Sequence, residues 1–303
     1  MIELREQVDG CLSRSYGGDT LNTAVYLARL GVGVDYITAL GDDPWSDEML
    51  AGWQAEGIGT EQVVRVPGRL PGLYVIQTDV SGERRFSYWR DSAAARSLFE
   101  LPETPAICKA LAGYDLLYLS GVTLSLYGET GRKRLFETLD HARHNGRRIA
   151  FDTNFRPRGW PGRLVAQAAY QSAFKRADIV LASTEDLDLL FGSEGYDELI
   201  DLGSSAEIVL KLPELACRVL SRDMDLVVRA NPVARVVDTT AAGDSFAAAY
   251  LASRLAGADP NIAAAAGHRL AGAVVGYPGA IIPLEKMPVS VIPMAIALQE
   301  NDL

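Results

Sequence analysis

The sequence predicts a three-layer α/β fold: a mostly parallel sheet with helices on both faces, and a small β-sheet lid. Two observations predict it. Short apolar runs alternate with helical patterns along most of the 303 residues, as strands buried on both faces do. Residues at about 3–16 and 61–91 instead alternate polar with apolar, the mark of strands with one solvated face. These two stretches are the lid excursions. No linker rich in Gly, Pro or Ser divides the chain, so residues 1–303 are expected to form one domain.

Taken in order, "DTLNTAVYLARLG" (19–31) reads as a helix with an Asp or Thr cap and Gly31 as its stop. "VDYITAL" (34–40) reads as a strand and "PWSDEMLAGWQAEG" (44–57) as a helix closed by Gly57. The lid stretch "TDVSGERRFSYWR" places a Ser81-Gly82 turn between two strands. The buried runs are "DLLYLSG" (115–121), "RRIAFDTN" (147–154), "ADIVLAS" (177–183) and "AEIVLK" (206–211), separated by helices near 128–145, 161–176 and 184–203. A last strand is expected at 233–237, leading into an alanine-rich helix from about 243.

Composition narrows the function classes. Hydrophobic content of 48% and charged content of 22% are those of a globular enzyme. A net charge of −10 argues against a general nucleic-acid or anionic-membrane partner. Three scattered cysteines, Cys11, Cys108 and Cys217, fit a reducing compartment, and "MIELREQVDG" carries no apolar signal region. The most apolar stretches are interrupted by Gly or Pro and too short to span a bilayer, so a cytoplasmic protein is expected.

Three segments carry chemistry. In "VVDTTAAGDSFAAAY" (236–250), a helix begins beside Ala241, Ala242 and Gly243, whose side chains are too small to shield the backbone. The first N–H groups of a helix lack partners and sit at the positive end of its dipole, so a phosphate can dock there. Asp244 would lie beside that phosphate, ready to take a proton from an attacking hydroxyl. Its helix-terminal position predicts a weak base, which phosphoryl transfer tolerates. The plain alternative is an Asp cap on a surface helix.

In "YGGDTLNTA" (16–24), Gly17 and Gly18 let the backbone crowd a ligand, and the amide of Asn22 is able to donate to and accept from sugar hydroxyls. The alternative is a simple Gly-Gly turn into a helix. In "FDTNFRPRGW" (151–160), Asp152, Asn154 and Arg156 follow a strand, where open α/β sheets bind ligands. A structural ion-pair cluster is the competing reading. "SYWR" (87–90) adds Tyr88 and Arg90 on the lid, or else is an amphipathic edge strand.

Other motifs are missing. No Gly-Lys pair exists, so there is no Walker A loop, and "GVGVDY" lacks the third glycine of a dinucleotide fingerprint. His141, His144 and His268 show no zinc spacing.

With those residues in view, "DTTAAGDSFAAAY" resembles the C-terminal signature of the ribokinase-like (PfkB) carbohydrate kinases, and "GGDTLNTA" their sugar-binding signature. The likeness extends through "ALGDDPWSDEML", "RLPGLYVIQTDVSGERRFSYWR", "YLSG", "FDTNFRPRGW" and "YPGAIIP". It implies a Rossmann-like three-layer fold with a β lid, and transfer of the ATP γ-phosphate to the 6-hydroxyl of a keto-acid sugar, 2-keto-3-deoxygluconate. By position, the resemblance makes Asp244 the base and Ala241 to Gly243 the anion hole. It places Gly17, Gly18, Asn22, Tyr74, Tyr88, Arg90 and Arg156 at the sugar. Asn154, Ser183, Lys211 and Gly243 face the nucleotide in that scheme. Asp186 organises Mg²⁺ through water, and Asp238 with Thr240 lies near a K⁺ site that some relatives use. Lids that pair in relatives imply a homodimer or higher homo-oligomer.

A sugar acid brings a carboxylate, and Arg90 and Arg156 are its natural partners, which favours a keto acid over a neutral hexose. The alternatives are a neutral-sugar, fructokinase-like kinase and a non-catalytic sugar- or nucleotide-binding relative. Three positions depart from the family pattern. The chain starts at Met1 without the strand and Gly-Glu pair that usually precede "MIEL"; Pro213 stands where the nucleotide loop usually has glycine; Ser183 stands where many relatives have Asn.

Overall fold

The computed structural model describes residues 1–303 except 8, 79–83, 204–205, 289–290 and 292–303. The chain opens with β1 (Ile2–Glu6) and β2 (Leu12–Tyr16), then α1 (Asp19–Arg29), β3 (Thr38–Leu40) and α2 (Pro44–Ala55). β4 (Val63–Arg65), β5 (Leu73–Thr78) and β6 (Arg84–Trp89) precede α3 (Thr104–Leu111). The alternating half follows: β7 (Leu116–Ser120), α4 (Gly121–Leu126), α5 (Glu129–His144), β8 (Arg148–Asp152), α6 (Arg163–Phe174), β9 (Ile179–Ser183). Then come α7 (Thr184–Phe191), α8 (Gly195–Leu202), β10 (Glu207–Leu212), β11 (Ala216–Ser221), β12 (Met224–Arg229), α9 (Ala242–Leu255) and α10 (Pro260–Val274).

The main sheet has the order β12-β11-β10-β9-β8-β7. β7 to β10 are mutually parallel, while β11 and β12 continue the sheet as antiparallel strands. Pro213, which cannot donate a ladder bond, opens the turn between β10 and β11. The central strands are near-continuous apolar runs because both faces are covered: Ile149 to Phe151, Val180 to Ala182 and Ile208 to Leu210 are all buried. One face packs an aromatic layer of Phe151, Tyr170 and Phe174. The other packs α1, α9 and α10, where Ala247, Ala248 and Ala249 are fully buried. Those alanines explain the composition of α9. Small side chains let an inner helix lie close to its neighbours, and a Cβ on Gly267 of α10 would come within 2.7 Å of the Phe246 ring. α9 is thereby fixed with its N-terminus at the strand ends.

The lid is a four-stranded sheet, β2-β1-β5-β6, in which two antiparallel pairs meet along a parallel β1–β5 seam. The Ser81-Gly82 turn lies outside the described residues. Four expectations need correction. The strand expected at 34–40 is regular only over β3, which pairs in parallel with β4 in a separate two-stranded sheet. The start of the 61–91 excursion therefore belongs to the body and not to the lid. The helix expected at 184–203 breaks into α7 and α8 at Gly192, which has a left-handed φ of 76°. No strand forms at 233–237, where Val236 and Val237 are exposed and the N–H groups of Val237 and Asp238 both donate to the Val275 carbonyl after α10. Among the described residues, no helix is long and apolar enough to cross a membrane.

Candidate active site

Parallel strands deliver their carboxyl ends to one edge: β7, β8 and β9 end there on Ser120, Asp152 and Ser183, and β10 carries Lys211 one residue before its end. The N-termini of α1 and α9 face the same edge. Asn22 of α1 donates from Nδ2 to Asp244 Oδ2 of α9 at 2.8 Å, joining segments 222 residues apart. The Asn22 Oδ1 atom is buried without a partner among the described residues.

Asp244 sits in the first turn of α9. Burial pushes its carboxyl up, and the nearby Asp19 carboxylate pushes further, to about 8 despite the Asn22 bond and the Lys211 ammonium. The weak base expected from helix polarity is corrected here: the neighbours assembled by tertiary folding outweigh the dipole. Ala241 adopts a left-handed backbone, φ 61° and ψ 14°, uncommon for a residue with a Cβ. Its turn uses the Ala242 N–H in a bond to the Thr239 carbonyl at 3.2 Å. The amides of Gly243 and Asp244 have no backbone acceptor among the described residues.

Lys211 crosses to this turn. Its Nζ is 3.5 Å from Asp152 Oδ2, and a Cβ on Gly243 would lie 3.5 Å from the same nitrogen. Asp152 is 3% exposed, its Oδ1 has no hydrogen-bond partner among the described residues, and burial pushes its carboxyl up to about 6 against the pull of Lys211. Asp186 accepts from Thr153 Oγ1 at 2.7 Å and lies 3.8 Å from Arg156 Nη1. No group of three or more acids, histidines or cysteines among the described residues is arranged to hold a metal directly. The two buried acids, Asp152 and Asp186, suit an ion that keeps its waters, the usual habit of Mg²⁺.

The residues expected at the sugar come from the lid and the loop after β8. Gly17 is required by sterics, because a Cβ there would approach the Tyr74 hydroxyl to 2.6 Å. That hydroxyl donates to Glu3 of the lid. The Tyr88 ring lies 6.0 Å from Tyr74, and the Arg90 guanidinium covers Tyr88 at 4.7 Å. A Cβ on Gly159 would lie 3.5 Å from Arg90 Nη2, so the lid arginine reaches the loop that carries Arg156. The Arg156 side chain is 58% exposed, and its Nη1 donates to the Phe155 carbonyl at 2.9 Å.

Two residues expected at the nucleotide make side-chain bonds to neighbours. Asn154, at a strained φ of 29°, donates to Asp19 Oδ2 at 2.8 Å, and Ser183 caps α7 by accepting from the Asp186 N–H at 3.1 Å. Asp238 accepts from Thr240 N and Thr240 Oγ1 on one oxygen, and from Gly279 N and Arg5 Nη1 on the other. Burial raises this carboxyl, but those donors outweigh it and hold it well below the usual carboxylate range.

Sequence reasoning missed Asp19, Ser120, Asp152 as a partner of Lys211, and the lid pair Glu3 and Arg5. Asp19 is not the expected cap: its carboxylate accepts from Ser120 Oγ at 2.5 Å and from Asn154. Its signal was an acid directly after the two glycines. The others had none, since their partners are distant in the chain.

Comparison with known proteins gives a consistent set. A model of the pfkB family carbohydrate kinases matches residues 5–287. The chain is 44% identical over 298 residues to the 2-dehydro-3-deoxygluconokinase of Dickeya dadantii, covering 95% of this chain and 96% of the relative. The 2-dehydro-3-deoxygluconokinase of Thermotoga maritima shares the fold with a TM-score of 0.81 at 22% identity, covering 94% of this chain and 95% of that one. The fructokinase of Xylella fastidiosa with bound ATP superposes with a TM-score of 0.79 at 22% identity, covering 95% of this chain and 92% of that one.

Proposed function

The chain belongs to the pfkB family of carbohydrate kinases, and on that premise we propose that it transfers the γ-phosphate of ATP to the 6-hydroxyl of 2-keto-3-deoxygluconate, the compound also written 2-dehydro-3-deoxygluconate. The observation that carries the reading is the 2.8 Å contact between Asn22 and Asp244, which brings the two signature segments to one point beside amides with no backbone acceptor among the described residues. The 44% identity to a kinase of this sugar acid supports the choice of substrate.

In this reading Asp244 accepts the proton of the 6-hydroxyl as the oxygen forms its bond to the γ-phosphorus and the bond to the β-phosphate oxygen breaks. ADP leaves, and Asp244 later gives the proton to solvent. Gly243 and Asp244 amides, with the Lys211 ammonium, face the phosphoryl group in flight, where preorganised charge contributes most. Mg²⁺ on the ATP phosphates would be held through its waters by Asp186 and Asp152, and supplies neutralising charge. Arg90 and Arg156 clamp the sugar carboxylate, and Gly17, Gly18 and Tyr88 shape the pocket below the lid. Tyr74, tied to Glu3, sets the height of that lid.

We read the lid also as the face of a homodimer, because Leu12 and Trp89 stand exposed on its two edge strands. The free cysteines agree with a cytoplasmic setting. The test is a panel of sugars with ATP and Mg²⁺. Phosphorylation of the keto acid well ahead of fructose is expected, and the reverse order would overturn the substrate assignment.

A further inference from the structure

The family resemblance points to a monovalent cation near Asp238 and Thr240, and the residues present do not fit one. An alkali ion needs oxygen lone pairs turned toward it. Both oxygens of the Asp238 carboxylate already accept at least two hydrogen bonds each, one of them from a guanidinium at 3.1 Å. Asp238 is 8% exposed and the Arg5 side chain 22%, so the pair is poorly hydrated. A second positive charge beside that guanidinium would be repelled at close range.

We propose that Arg5 is the resident cation of the 238–240 turn: a positioning residue that holds the anion hole in shape and makes turnover independent of added monovalent ions. The inference rests on the kinase reading above. Its path through the structure is short. Arg5 stands on β1 and fixes Asp238; Asp238 takes the N–H and hydroxyl of Thr240; Thr240 precedes Ala241, whose left-handed backbone aims the Gly243 and Asp244 amides. Strained backbone of that kind persists only where its surroundings over-determine it. Arg5 also lies 3.5 Å from Glu3, the partner of Tyr74, so one lid strand anchors both the sugar pocket and the phosphate turn. A cavity of about 350 Å³ lined by Arg5, Glu3, Tyr16 and Gly279 adjoins the pair, room enough for a hydrated ion if the guanidinium were removed.

The experiment titrates KCl, RbCl and NaCl against tetramethylammonium chloride at constant ionic strength, with saturating ATP, Mg²⁺ and sugar acid. Wild-type kcat is expected to change by less than about twofold, Arg5→Ala to lose on the order of tenfold in tetramethylammonium and to regain much of it in K⁺, and Arg5→Lys to need no K⁺. Stimulation of the wild type by K⁺, or an Arg5→Ala enzyme that is equally impaired or equally active in every salt, would overturn the proposal. Should Arg5→Ala not fold, thermal unfolding of the wild type decides. Equal midpoints in KCl and tetramethylammonium chloride are expected, and a K⁺-specific rise refutes the claim, since an ion bound only by the folded state must stabilise it. Absence of transfer to any sugar in any salt would sink the kinase reading alone, leaving the unfolding comparison to judge Arg5.

Discussion

Replacing Asp244 by Asn should flatten part of the pH dependence of stability. Burial and Asp19 raise the folded-state carboxyl to about 8, whereas an unfolded Asp titrates near 4. A raised carboxyl contributes stability that is complete below the unfolded value and is lost as pH climbs through the folded one. Between pH 6 and pH 8 the loss from this single group is about 2 kcal/mol. For a chain of this length that is a shift of roughly 4 °C in Tm. Asn keeps the shape and, with the Asn22 amide turned over, the hydrogen bond, but it cannot ionise. Ligand-free wild type and Asp244→Asn are to be melted in matched buffers at pH 6 and pH 8. The variant should gain about 4 °C on the wild type across that interval. Parallel behaviour of the two proteins would mean that Asp244 is an ordinary exposed carboxylate, and the high-pKa base would have to be abandoned. The same ionisation governs catalysis, so kcat/KM of the wild type should climb with pH up to about 8.

Lys211→Met should lower kcat on the order of 10²-fold, as removal of one donor to a transferring group does, with steady-state kinetics as the readout. Arg90→Ala and Arg156→Ala should each raise KM for the sugar acid on the order of tenfold while leaving KM for ATP nearly unchanged; equal losses with a neutral sugar would remove the carboxylate clamp. Gly17→Ala forces a methyl against the Tyr74 hydroxyl, so a loss of about 1–3 kcal/mol in stability is expected by denaturant titration, together with weaker sugar binding.

What the sequence made legible was local. Small residues before Asp244 announced the start of α9, and the paired glycines before Asn22 the start of α1; both helices formed, though Asp19 does not cap the second. Apolar runs at β8, β9 and β10 declared a sheet covered on both faces. Failures arose where a distant segment decided the outcome. Helix polarity alone suggests an acidic Asp244, but Asp19 arrives from 225 positions upstream in the chain to reverse it. Val236 and Val237 look like a strand, yet their bonds go to the end of α10. β4 reads like lid, but β3 captures it. Arg5 and Asp238 are separated by 233 residues, and no periodicity in either segment announces their ion pair.

The most direct measurement follows phosphorus by ³¹P NMR while the protein acts on ATP, Mg²⁺ and 2-keto-3-deoxygluconate, wild type beside Asp244→Asn. A phosphomonoester on the 6-oxygen should accumulate with ADP in equal amount, and the variant should form it on the order of 10²-fold more slowly. Undiminished product from the variant, or release of inorganic phosphate with no sugar ester, would contradict the account.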